Sequence, residues 1–200
     1  MTYATLPTYR FTHAATITQV QPPQPGTVTL DSPALSVMTD LTTVRAATIH
    51  PNTSLSQAEA EMMHQGVRLL FVVKELAWVD GVVTLTDLLG DRPLMLVHQR
   101  NMKHHDISVA DVMTPLGDLD AIEQAALVHA SVGDVVATLL RFGRPYLLVV
   151  GDGEAGELGT QARIRGLISA SQVQRQLGAP LPSLTIAATF AEITRALDER

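Results

Sequence analysis

Residues 54–73 read SLSQAEAEMMHQGVRLLFVV, and residues 131–150 read SVGDVVATLLRFGRPYLLVV. The two stretches align without a gap at an offset of 77. Ser54, Gly66, Leu70, Val72 and Val73 recur as Ser131, Gly143, Leu147, Val149 and Val150, and Met62 and Met63 become Leu139 and Leu140. Two flanking landmarks repeat in the same order. Val37-Met38-Thr39 returns as Val112-Met113-Thr114, and Gly81-Val82-Val83-Thr84 returns loosely as Gly166-Leu167-Ile168-Ser169. Ordered landmarks of this kind mark an internal repeat, with offsets that drift as loops differ in length.

Each repeat reads as helix, strand, strand, helix. In the first, Ser54-x-x-Gln57 is a capping-box start. Leu55, Ala58, Met62 and Met63 are spaced as one helical face, and Gly66 is the expected stop. Leu69 to Val73 is a short apolar run suited to a buried strand. Val82 to Leu85 is the returning strand, and Asp87 opens a short second helix ending near Gly90. In the second repeat, Val132, Val135, Val136, Leu139 and Leu140 form the stripe and Gly143 ends it. About eight extra residues between its strands read as an extended hairpin.

Five segments follow. Residues 1–35 are an N-terminal extension with a Pro-rich stretch between possible short strands at Ile17 to Val20 and Val28 to Leu30. Residues 36–98 are the first repeat, 99–106 a polar linker and 107–178 the second repeat. Residues 179–200 are a C-terminal extension, with a possible strand from Leu184 and a helix opened by Thr189-x-x-Glu192.

Composition narrows the function. Of 200 residues, 46% are apolar and 17% charged, which describes a packed chain rather than a disordered one. The longest unbroken apolar runs are five residues, far short of the roughly 20 of a membrane-spanning helix. There is no cysteine, so disulfides, thiolate metal sites and a cysteine nucleophile are excluded. No apolar signal-peptide core opens the chain, and the simplest compartment is the cytoplasm. A net charge of −6 disfavours a surface that tracks nucleic acid. Eight aromatic residues, three of them within the first eleven, leave little for a base-stacking platform.

The carrying motifs are Ser36-Val37-Met38-Thr39-Asp40 with its partner Asp111-Val112-Met113-Thr114-Pro115, His50-Pro51-Asn52-Thr53-Ser54-Leu55, Gly66 to Val73, and the closing Gly81-Val82-Val83-Thr84-Leu85-Thr86-Asp87-Leu88-Leu89. Together they resemble a tandem pair of CBS domains, a Bateman module, over roughly residues 36–178. The first repeat is the closer match. The resemblance implies an α/β (α+β) fold: two βαββα repeats packed through their sheets about a pseudo-twofold axis. It implies clefts that bind AMP, ADP, ATP or S-adenosylmethionine, with no catalytic centre, no catalytic cofactor and no metal. It also implies a homodimer and an unidentified effector protein that receives the output.

The closing motif supplies the site candidates. The resemblance puts Asp87 on the ribose hydroxyls and Thr84 on phosphate. An ionised carboxylate is acceptor-only and can take two vicinal hydroxyls. Thr84-x-x-Asp87 is equally a helix-capping pair, and the two roles can coexist. Arg68 stands where the family often turns a basic residue toward phosphates. It also reads as a surface arginine with its stem on apolar neighbours. In the second repeat Ser169 and Gln172 take the closing positions, and Gln172 lacks the charge of an aspartate. Pro145 replaces the arginine. Two pseudo-symmetric clefts of unequal competence are therefore expected, with Ser169 and Gln172 the weaker candidates.

Other signals carry less. Gly151-Asp152-Gly153-Glu154-Ala155-Gly156 is a literal GxGxxG, but no helix opens there to meet a pyrophosphate, so it reads as a hairpin tip. His98, His104 and His105 lack zinc-ligand spacing and read as linker. Met38 and Met113 read as core residues at a cleft edge. The alternative to ligand sensing is a degenerate pair that serves as a dimerisation or docking scaffold without nucleotide.

Overall fold

The computed structural model describes residues 27–75, 78–100, 103–151, 155–156, 159–160 and 162–181. The strand expected over residues 17–20, the Pro-rich stretch, and the strand and helix expected beyond residue 183 lie outside these residues.

A 3-10 turn at Ala34–Val37 leads into β1 (Thr39–Asp40), β2 (Thr48–Ile49), α1 (Leu55–Gln65), β3 (Leu69–Val73), β4 (Val79–Thr84), α2 (Leu85–Leu89) and α3 (Asp91–Arg100). The second half follows with α4 (Val109–Val112), β5 (Thr114–Pro115), β6 (Ala121–Glu123), α5 (Gln124–Val128), α6 (Val132–Phe142) and β7 (Tyr146–Gly151). It closes with β8 (Ala155–Gly156), β9 (Gly159–Thr160), β10 (Arg163–Ser169) and α7 (Ala170–Leu177). The fold is mixed α/β, as the repeat predicts.

Local sequence explains the main helices. Ser54 caps α1, and Gln57 returns a bond to the Ser54 backbone N–H. Ser131 and Asp134 do the same for α6. Gly66 and Gly143 end these helices at φ 66° and 62°, a left-handed turn that glycine makes at no steric cost.

Two four-stranded sheets form, in the orders β2-β3-β4-β5 and β1-β10-β7-β6. The entry strands are exchanged between the halves. β1 precedes the first repeat yet pairs with β10 of the second, Thr39 opposite Leu167 and Asp40 opposite Gly166. β5 precedes the second repeat yet pairs with β4 of the first, Gly81 opposite Pro115 and Val82 opposite Thr114. The two repeated glycines make room for this exchange. A Cβ on Gly81 would overlap the Thr114 carbonyl oxygen, and one on Gly166 would lie 2.7 Å from Met38 Sδ. The helical pieces cross over too. Ala34 and Val37 belong to the core of the second half, and Val109 and Val112 to that of the first.

Period-two alternation divides each central strand between two cores. Leu70 and Val72 of β3 face helices α1 and α4, whereas Phe71 faces the other sheet. In β7, Leu147 and Val149 face the helices of their own half, whereas Tyr146 and Leu148 meet Phe71 and Val82 between the sheets. Both faces of these strands are covered, which is why they read as continuous apolar runs.

Several expectations change. Val28 to Leu30 is not a strand. Its last carbonyl serves a helix start instead: Leu30 O, with Ser32 O two residues on, accepts from the Gly133 and Val132 N–H groups of α6 respectively, each at 2.8 Å. Met63 is 71% exposed rather than on the buried stripe. At about 100° per residue, Met62 returns to within about 20° of Leu55, but Met63 lies about 80° away. The returning strand starts earlier than expected, at Val79. The short helix α2 opens at Leu85 after the Thr84 cap and is followed directly by α3, which runs into the expected linker. Leu96 and Val97 of α3 pack on the first core. A β8–β9 hairpin forms where the glycine-rich extension was read as one.

Candidate ligand cleft between the two sheets

The sheets meet on Phe71, Val82, Tyr146 and Leu148. Beside this contact a cleft of about 1120 Å³ opens, comparable with pockets that enclose a small organic ligand. Its wall comes from both halves: the β1–β2 connection, the entrance to β3, the β4–α2 corner, the start of β7, and the β10–α7 corner.

Thr84 and Arg68 line this cleft, and so do Ser169 and Gln172. The candidates from the two repeats, expected at separate clefts, therefore meet at one. The reason is geometric. With the sheets packed face to face, the ends of β4 and β10, where Thr84 and Ser169 cap their helices, converge on the same opening.

Thr84 is buried, and it is held by Asp87. Asp87 Oδ2 accepts from the Thr84 backbone N–H at 2.8 Å and from its hydroxyl at 2.6 Å. The Asp87 N–H donates back to Thr84 Oγ1 at 3.3 Å. The capping reading of this pair is realised in full. Asp87 itself is not among the described residues lining the cleft, but its charge reaches the Tyr146 phenol on the cleft wall.

The second corner is built differently. Ser169 Oγ accepts from the Gln172 N–H at 3.3 Å, so the cap exists. The Gln172 side chain does not return to the cap. Its Oε1 accepts from Thr39 Oγ1 at 3.0 Å, across the exchanged strand β1. The next residue of that strand is anchored as well. Arg165 Nη2 donates to Asp40 Oδ2 at 2.8 Å, and this bond is the main cause that holds the Asp40 carboxyl down to about 2.

Charge in the cleft is one-sided. Arg45 from the β1–β2 connection, Arg68 at the entrance to β3 and Arg175 in the last turn of α7 all line it, and no Asp or Glu among the described residues does. All three arginines are solvent-exposed, and none forms an ion pair with a described residue. The apolar part is supplied by Leu41, Ala46, Ala47, Leu69, Phe71 and Leu167. Tyr146 adds a phenol whose pKa burial pushes up. Positive groups at the rim over an apolar floor suit a ligand with an anionic end and a flat apolar end.

Arg45, Arg175 and Thr39 were not singled out from sequence as site residues. Arg175 carried a usable signal, since it follows Gln172 by three residues and so shares its helix face. Arg45 carried none, because only the exchange of β1 brings its connection to this opening. Met38 and Met113 pack against the two cores, one in each half. Of the histidine cluster, His105 lies 3.4 Å from Asp106 on the surface. Among the described residues no group of three or more His, Cys, Asp or Glu side chains gathers, and no helix is long and apolar enough to cross a membrane.

Residues 36–92 match the family model of the CBS domain. No curated protein is similar enough to match. Among solved structures, CBSX2 from Arabidopsis thaliana in complex with AMP is 22% identical, covering 72% of this chain and 94% of its own, at a TM-score of 0.49. A conserved protein from Pyrococcus horikoshii is 21% identical, covering 73% and 92%, at 0.48. The CBS domain of a bacterial CNNM/CorC family Mg2+ transporter in complex with ATP is 17% identical, covering 75% and 90%, also at 0.48.

Proposed function

We propose that this CBS-domain protein is a regulatory module that binds a phosphorylated adenosine ligand in the cleft between its two halves, without catalysis. One observation carries the reading. In a chain of net charge −6, the described residues that line the cleft include three arginines and no carboxylate. Desolvating an anion there is offset by guanidinium groups whose planar donors match phosphate oxygens. Arg68, Arg45 and Arg175 are the phosphate-binding side chains. Thr84 and Ser169 supply hydroxyls, and Leu69, Phe71, Ala46 and Ala47 form the face for the base. Asp87 acts as a positioning residue through its two bonds to Thr84.

The same charge separates the two ligand classes that the resemblance implies. AMP, ADP and ATP are anions, whereas S-adenosylmethionine carries a sulfonium and an ammonium against a single carboxylate. Three arginines that form no ion pair with a described residue favour the phosphorylated class. Because both halves wall the cleft, a ligand that bridges them favours one relative arrangement over others. It shifts that equilibrium only by its difference in affinity. An effector protein reads the shift.

Thermal shift tests this reading with AMP, ADP, ATP and S-adenosylmethionine. A bound ligand raises apparent stability by about 2.7 kcal/mol at one hundred times its dissociation constant. The expected result is a rise with at least one phosphorylated compound that exceeds the rise with S-adenosylmethionine. No rise with any nucleotide overturns it.

A further inference from the structure

We propose that the cleft takes a nucleoside polyphosphate in its metal-free form, so that Mg2+ opposes ligand binding. The inference rests on the reading of the cleft as a phosphate site, and it adds the ionic form of the ligand and a second input to the module. Mg2+ in a nucleotide site bridges phosphate oxygens and is fixed by one or two protein carboxylates, with water completing its octahedron. Among the described residues that line the cleft there is no carboxylate for that purpose, and there are three guanidinium groups instead.

Three carboxylates adjoin lining residues in the chain without lining the cleft themselves. Asp40 sits between Thr39 and Leu41. Its Oδ1 accepts from the Thr42 N–H at 2.9 Å and the Thr42 hydroxyl at 2.7 Å, and its Oδ2 accepts from Arg165 at 2.8 Å. Asp87 follows Thr86, and its Oδ2 takes both donors of Thr84. Asp91 follows Gly90 and is exposed in the first turn of α3.

The arginines take the place of the metal. Each oxygen lone pair given to Mg2+ is withdrawn from a guanidinium donor. Bound Mg2+ also about halves the net charge of ATP, and with it the Coulombic attraction to Arg45, Arg68 and Arg175. The metal-bound form is the weaker ligand on both counts. AMP escapes this competition, because its single phosphate offers Mg2+ no second phosphate to chelate with.

The test is calorimetric titration of the full chain with ATP in EDTA and in excess Mg2+, the ionic strength matched with NaCl so that screening is equal. The expected result is an ATP affinity about tenfold or more lower in Mg2+, equivalent to the loss of roughly one charge-assisted contact. AMP affinity should be the same in both buffers. At least one of Arg45→Gln, Arg68→Gln and Arg175→Gln, each neutral but still a donor, should narrow the ATP ratio. ATP that binds in neither buffer, or that binds equally well or better in Mg2+, overturns the proposal, and so does a ratio unchanged in all three variants. An equal loss for AMP overturns it too, since the metal then acts on the protein rather than on the ligand. Failure of both ATP and AMP to bind in EDTA overturns the anion reading of the cleft itself, and this proposal with it.

Discussion

Thr39 and Gln172 lie 133 positions apart in the chain and are joined by a hydrogen bond of 3.0 Å. Thr39 belongs by sequence to the first repeat, but its strand is the edge of the second repeat's sheet. The bond thus ties the exchanged strand to the corner where α7 begins, on the wall of the cleft. The cleft is a product of the exchange, since Thr39, Arg45 and Gln172 reach it together only when β1 crosses over.

The two helix starts at the cleft should respond unequally to truncation. Asp87→Ala removes the acceptor for two donors of Thr84 and should cost about 0.5–2 kcal/mol of stability. Gln172→Ala leaves the Ser169 cap in place and should cost less. Urea unfolding of the two variants checks the order, and equal or reversed losses contradict it.

The glycines opposite the exchanged strands should not tolerate a methyl group. Gly81→Ala sets a Cβ against the backbone of Thr114, which cannot rotate away as a side chain can. Gly166→Ala presses on Met38 Sδ, which can move, and on Thr39 O at 3.0 Å, which moves only with β1. Overpacking of this kind costs about 1–3 kcal/mol. Gly81→Ala should be the more damaging. An alanine at position 81 that leaves the urea midpoint unchanged would contradict the exchanged pairing of β5 with β4.

The Asp40–Arg165 pair predicts an acid-sensitive edge. The folded carboxyl is held at about 2, against 3.8 for an unperturbed aspartate. A depressed folded value means stability that is complete above the unfolded value and is lost as pH falls from about 4 toward about 2. Melting temperatures across that window should therefore fall more steeply for the wild type than for Asp40→Asn. Parallel curves would show that the pair contributes nothing, which is the usual outcome for a fully solvated ion pair.

Much of the fold is legible because it is written locally. A capping serine, a stripe at helical spacing and a terminal glycine specify α1 and α6, and unbroken apolar runs specify β3 and β7. The exchange of β1 and β5 is not legible. Two-residue strands carry no periodicity, and their partners are set by which sheet edge is free. Gly81 and Gly166 were visible as repeat landmarks, but the close backbone approach that requires them appears only in the folded chain. The site was half legible. Thr84, Arg68, Ser169 and Gln172 line one common opening. Asp87 reads as a cap from its spacing and as ligand-binding from the resemblance, and the geometry realises the cap. Arg45 reaches the cleft through tertiary pairing alone.

Three arginines are proposed to make this cleft a receptor for a phosphorylated nucleotide. Calorimetric titration of ATP into the wild type and into the double variant Arg68→Ala/Arg175→Ala tests this most directly. Each exposed arginine–phosphate contact is worth about 0.5–1.5 kcal/mol, so the account predicts saturable binding that weakens by about 5- to 150-fold in the double variant. Saturable binding of equal affinity in both proteins would contradict it.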